Sequence, residues 1–153
     1  MRVILVVVVV AIGWLIGKNK NDSYKKKKEF YFSAYQFCIE YETNLKFNRL
    51  TVDELISKVN FTSDVFSNAL AEYFKNNAVF NDNIYNESQK QVVNSFFNDL
   101  GKSNAYSELN KLSYYKSEFE KSMKDAEENY KIKGMLAQKV GVLAGLLVGI
   151  LIL

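Results

Sequence analysis

Residues Gly101–Leu153 read GKSNAYSELNKLSYYKSEFEKSMKDAEENYKIKGMLAQKVGVLAGLLVGILIL. Gly101 is a helix stop, because glycine tolerates the left-handed conformation that closes a helix. Asn104 or Ser103 then caps a new helix, predicted to run with little interruption to Leu153. Leu109, Leu112, Phe119, Met123, Ala126 and Tyr130 recur at spacings of three and four, with Lys116 at the one seam position that is not apolar. Charged residues such as Lys111, Glu118, Lys121, Asp125 and Glu128 cover the rest, so one face packs against partner helices. From Val140 the run VGVLAGLLVGILIL carries no polar side chain. A helix apolar all round belongs in lipid or in a deep core. One helix is therefore expected to start as a packing element of a folded body and to end as a membrane anchor.

The opposite end of the chain repeats that apolar character. Val3–Gly17 (VILVVVVVAIGWLIG) is long enough to approach the roughly 17–25 residues of a spanning helix, and Trp14 lies where an interfacial anchor sits. A cleaved signal peptide is the rival reading. Against it, the strong positive charge follows the apolar run instead of preceding it, and no A-x-A site is present. Lys18, Lys20, Lys25, Lys26, Lys27 and Lys28 form a basic strip opposed only by Asp22. Lysines mark the cytoplasmic flank of a span, so the body is expected in the cytoplasm and Met1 outside. Lys131, Lys133 and Lys139 precede the second apolar run, which places Leu153 outside as well. That run extends only about 21 Å as a helix, short of a hydrocarbon core of about 30 Å. Lys139 would have to snorkel, or the run is an interfacial or buried partner of the first segment. The strip itself either contacts anionic lipid headgroups or only marks topology.

Three segments follow: 1–18, an amino-terminal transmembrane helix; 19–134, a cytoplasmic helical bundle; and 135–153, a hydrophobic helix continuous with the last bundle helix. Gly141, Gly145 and Gly149 line one face at four-residue spacing, as do Gly13 and Gly17. Such faces pack helices closely in membranes, here against each other or against another subunit, or they are incidental to a lipid-facing anchor.

Within the body, Phe30, Ala34, Phe37, Tyr41 and Leu45 keep a helical period over Lys25–Phe47. That helix either continues from the first apolar segment or is broken from it at Asn19–Ser23 (NKNDS). Thr51 and Glu54 make a capping box for a short helix. Ser63 or Thr62 caps the next, with Val65, Phe66, Leu70 and Phe74 on its face. Asn76–Asn86 is the longest loop, and Glu87–Leu100 is a further helix. No alternating strand pattern and no proline occur. The fold class is all-α, an antiparallel helical bundle with a membrane helix at each end.

Composition narrows the chemistry. From Glu29 onward there are 13 Lys and Arg against 16 Asp and Glu, so the body lacks the basic footprint of a nucleic-acid binder. No histidine is present, which removes the commonest general base and metal ligand. Cys38 is the single cysteine and reads as a small buried hydrophobe. Glu127 and Glu128 are adjacent, so on a helix they diverge. No catalytic residue, metal site, cofactor or small-molecule substrate is expected. The many Phe and Tyr rings at helical spacing read as core, not as a ligand box.

Three stretches carry a resemblance. Phe96–Leu112 (FFNDLGKSNAYSELNKL) is similar to a Phe-x-x-x-Leu-Gly segment followed by Asp and then Gln in the stage III sporulation protein AB family of endospore-forming bacteria. Gly141–Leu153 resembles that family's Gly-x-x-x-Gly-rich terminal segment. Glu42–Leu55 (ETNLKFNRLTVDEL) resembles its Glu-x-Glu-Ile-x-Tyr segment and Thr-Pro-Leu helix start. Asn44 departs from the family's Glu, Leu50–Val52 from its Thr-Pro-Leu, Asn104 from its Asp, and Glu108 stands in its Gln place. Phe96, Leu100, Gly101, Asn104 and Glu108 thus mark the motif turn. The resemblance implies a scaffold of a channel complex between mother cell and forespore, similar to the cytoplasmic domains of the type II secretion platform protein. It also implies other subunits of that complex as partners, a secretion-type ATPase among them, and a place in the mother-cell membrane around the forespore. A helical interaction module, exported or membrane-anchored and unrelated to sporulation, is the alternative.

Overall fold

The computed structural model describes residues 2–48 and 50–152. Its helices are α1 (Arg2–Thr43), α2 (Val52–Lys58), α3 (Asp64–Asn76), α4 (Glu87–Asp99), α5 (Ala105–Asn129) and α6 (Met135–Ile152). Two π-helical turns, Asn44–Asn48 and Tyr130–Gly134, follow α1 and α5. No strand occurs among the described residues, and the fold is all-α. Asn19–Ser23 does not break α1. Ser23 Oγ donates to the Asn19 carbonyl at 3.0 Å, inside the helix. No Pro or Gly in that stretch removes a donor or loosens the backbone.

The chain divides into two compact units, Met1–Lys28 with Asp125–Leu153, and Glu29–Lys124. The expected borders after residues 18 and 134 both lie inside the first of these.

The central unit, Glu29–Lys124, is built on rings. Phe30, Phe37, Phe66, Phe96, Phe97 and Phe119 are all buried. Phe30 meets Phe66 edge-on at 5.3 Å and stacks on Phe80 at 5.0 Å. Phe96 meets Phe119 edge-on at 5.1 Å and Phe37 at 6.2 Å. Such pairs add roughly 0.5–1.5 kcal/mol each beyond the area they bury. The rings fill one another's space, so this aromatic set is a core.

Short polar devices fix the connections. Asn44 is buried, donates to the Leu50 carbonyl and accepts from the Leu50 amide, both at 2.9 Å. Thr51 and Glu54 form the capping box of α2. Ser63 caps α3, and its own amide donates to Ser33 Oγ at 2.9 Å. The Asn-rich connection is packed down: Phe80 and Tyr85 are buried, and Asn94 of α4 bonds both the amide and the carbonyl of Phe80. Asn86 then caps α4 with Gln89 as its capping-box partner.

The terminal unit is a helix pair. Along the first 28 residues and the last 29, rising numbers on one side meet falling numbers on the other: Val6 lies by Gly149, Val10 by Gly145, Gly13 by Gly141, and Gly17 by Ala137 and Gln138. The pairing is therefore antiparallel. Ala126, Tyr130, Gly134 and Gln138 are spaced by four, and each such step over-rotates an α-helix by about 40°. The wider π-helical turn at Tyr130–Gly134 takes up that drift and keeps these residues in phase.

Candidate functional site

Two places collect the residues singled out in the sequence. The first is the helix pair of the terminal unit. A Cβ at Gly13 would run into the Gly141 carbonyl oxygen, and one at Gly141 into the Gly13 carbonyl oxygen. At Gly17 it would stand 2.7 Å from the Ala137 carbonyl oxygen, and at Gly145 2.9 Å from Val10 Cα. Only backbone meets backbone there, so a side chain at any of these four positions requires the helices to part. Gly149 is different: its neighbour is the Val6 side chain at 2.8 Å. The glycines of both segments thus face one another within a single chain.

Around that seam the outward faces are apolar. Ile4, Leu5, Val7, Ile12, Leu15 and Ile16 are exposed on one helix, and Leu143, Leu147, Ile150 and Leu151 on the other. Two helices, within Ile4–Asn48 and Ala105–Leu151, are long and apolar enough to cross a membrane. Only 6% and 17% of their most apolar stretches are buried, unlike the core helix of a soluble domain. Polar groups gather at one end of the pair. Asn21 Nδ2 donates to Gln138 Oε1 at 3.2 Å. Lys18 Nζ stands 5.1 Å above the Trp14 ring, and Lys28 Nζ 5.2 Å above the Tyr130 ring. Lys20, Lys25, Lys26, Lys27 and Lys139 belong to the same end of the same unit.

The second place is the motif turn between α4 and α5, inside the central unit. Leu100 closes α4, its amide donating to the Phe96 carbonyl at 3.3 Å. Gly101 follows at φ 72°, a left-handed conformation, with Val52 Cγ2 3.0 Å from where a Cβ would sit. Asn104 caps α5 by accepting the Ser107 amide at 2.9 Å. Glu108 is buried, accepts the Ser103 amide at 3.1 Å through Oε1, and accepts the Tyr41 hydroxyl through Oε2. The Tyr41 oxygen in turn accepts the Gly101 amide at 3.2 Å. One tyrosine from α1 therefore ties together both halves of the turn. Burial, and then donation to Glu108, raise the Tyr41 phenol well above its ordinary range. Nearby, Asp99 accepts Tyr115 at 2.7 Å and Lys111 at 3.2 Å. Burial raises the Asp99 carboxyl, but these two donors together with the Lys111 and Lys102 charges outweigh it and the net shift is downward. The hollow among Tyr41, Asp99, Glu108 and Tyr115 holds about 10 Å³, room for a single water.

Periodicity placed Tyr41 on a core stripe and Glu108 in a first helical turn; their bond joins positions 67 residues apart. The one signal in the sequence was Glu108 standing at a place where the resemblance implies Gln. Phe96, Leu100 and Glu108 are buried, whereas Gly101, Asn104 and Tyr106 are exposed. Lys116, the odd member of the α5 seam, bonds Glu42 at 2.6 Å, as does Lys46. Those two donors hold the Glu42 carboxyl down at about 2. Burial pushes the Cys38 thiol far up. Among the described residues no group of three or more Cys, Asp or Glu is arranged to hold a metal.

A protein-family model, described as stage III sporulation protein AB, matches residues 66–153. No curated protein and no solved structure matches the chain significantly.

Proposed function

Because this chain belongs to the stage III sporulation protein AB family, whose role is in sporulation, we propose that it is a non-catalytic, membrane-anchored scaffold of the channel complex between mother cell and forespore. The observation that carries this reading is the glycine-seamed helix pair: exposed apolar faces with lysines gathered at one end. In this reading both helices cross the mother-cell membrane around the forespore, the lysine end and the central unit are cytoplasmic, and both tips are outside. The glycine seam makes the anchor a hairpin, with each helix covering the backbone of the other. A retained amino-terminal segment follows, since cleavage near Lys18 would remove half of it. The central unit then offers helical surfaces to other subunits, a secretion-type ATPase among them. Gly101, Lys102 and Asn104–Tyr106, exposed on either side of the half-buried Ser103, are the part of the motif turn open to such contact.

Two measurements on the full chain test this. In a Cys38→Ser background expressed in vegetative cells, Arg2→Cys is expected to react with an impermeant maleimide in intact cells. Reaction only after permeabilisation overturns the topology. From detergent extracts of sporulating cells, the tagged chain is expected to co-purify with the secretion-type ATPase or another subunit of the channel complex. Recovery with none of them overturns the scaffold role.

A further inference from the structure

Lysines from both ends of the chain converge on one end of the terminal helix pair. The first helix supplies Lys18, Lys20 and Lys25–Lys28, and the second supplies Lys131, Lys133 and Lys139. Their register is set by the backbone. Gly17 lies against Ala137 and Gln138, and Gly134 against Asn21 and Tyr24. Lys18 therefore lies near the level of Lys139, with Lys20 about a turn further along, while Lys28, over Tyr130, shares a level with Lys131. The acidic groups of this unit are Asp22, Asp125, Glu127 and Glu128, and Glu127 is engaged by Lys131 at 2.8 Å. Nine lysines against four carboxylates leave a large positive excess. Exposed apolar faces run on beyond, from Ile16 and Leu15 on one helix and Val140 and Leu143 on the other, and on the second helix Ile132, Met135 and Leu136 are also exposed among the lysines. Trp14, the single tryptophan of the chain, lies at that border beneath Lys18.

We propose that this two-helix lysine collar is a binding site for anionic phospholipid headgroups, formed only when both helices are paired. Topology marking needs lysines on one flank of each span. In an antiparallel pair it also brings both sets to one end; what the register adds is close approach, with Gly17 against Ala137 and Gln138 and so Lys18 near the level of Lys139. A headgroup phosphate seated there meets ammonium donors from both helices while its acyl chains lie along the apolar faces. The proposal rests on the membrane reading above.

Trp14 is a built-in probe for the test. The full chain is placed in liposomes of fixed phosphatidylglycerol and phosphatidylcholine content, with acyl bromines carried by one lipid or the other. Bromine on phosphatidylglycerol is expected to quench Trp14 about threefold or more strongly per brominated lipid. The ratio is expected to fall toward one in Lys18→Gln/Lys20→Gln/Lys139→Gln, and in about 0.5 M salt, where the screening length is a few ångströms. Equal quenching by both lipids in the unaltered chain overturns the collar and leaves the membrane reading standing. Loss of the preference in phosphate but not in chloride of equal ionic strength also overturns it, as a site for free phosphate. No quenching by either lipid removes the membrane reading and the collar together.

Discussion

Glu108 and Tyr41 are where the motif turn is held. Replacing Glu108 with Ala leaves the Ser103 amide and the Tyr41 hydroxyl without their acceptor in a buried place. That is expected to cost about 2–3 kcal/mol of stability, measured by thermal unfolding of the full chain in detergent. Glu108→Gln is expected to stay within about 1 kcal/mol. Its side-chain carbonyl still accepts the Ser103 amide and its NH2 donates to the Tyr41 oxygen, so only the Tyr41 hydroxyl hydrogen loses its acceptor. Glu42 makes a pH-dependent contribution. Its folded carboxyl is held near 2, below the ordinary value of about 4.3. The contribution is complete above about pH 5 and disappears as pH falls through about 2. Glu42 is on the surface, its side chain 28% exposed, so the amount is about 1 kcal/mol or less. Acid unfolding curves of the unaltered chain and of Glu42→Gln are expected to differ at pH 6 and to converge near pH 2. Cys38 is buried with its thiol strongly disfavoured as thiolate. It is expected to react with a thiol reagent only once the chain is unfolded.

At the scale of elements, the helix pair makes the sharpest prediction. A Cβ built on Gly149 stands 3.8 Å from Val6 Cβ, the mean separation across a disulfide. In a Cys38→Ser background, Val6→Cys with Gly149→Cys is expected to cross-link on mild oxidation, read as a mobility shift reversed by reductant. Adding Gly141→Ile, which drives a branched side chain into the Gly13 backbone, is expected to suppress it. Overpacking of this kind costs about 1–3 kcal/mol. Gly149→Ala is expected to weaken the pair less than Gly141→Ile, because its Cβ meets one side chain and not backbone, although Val6 as a β-branched residue in a helix has little freedom to turn away from 2.8 Å. Cross-linking that survives Gly141→Ile unchanged would mean that the seam does not depend on its glycines. The elements themselves were legible in advance wherever the signal is local. Thr51 with Glu54, Ser63, Gly101 and Asn104 act within one turn, and each sits where its chemistry places it. The Asn-rich loop was legible as a loop, but not the burial of Phe80 and Tyr85, since Asn94 pins it from the next helix.

For the whole molecule, the retained hairpin and the sporulation role meet in one test. Mass spectrometry of the chain from membranes is expected to find the segment before Lys18 intact. A mature amino terminus near Lys18 would overturn the hairpin anchor. In a strain lacking the native protein, Gly13→Ile is expected to give fewer heat-resistant spores than the unaltered chain. The central-unit core, which includes none of those glycines, should keep its near-ultraviolet signal.

The sequence by itself determined the all-α class, the two apolar ends, the lysines beside them, the caps and the family. All of these rest on period, composition and residues a few positions apart. Tertiary structure alone decided what joins distant positions. Gly13 faces Gly141, Tyr41 reaches Glu108, and Lys116 fills its seam position by bonding Glu42. Each of these contacts depends on the position and angle of a partner helix, and periodicity along one helix cannot specify either.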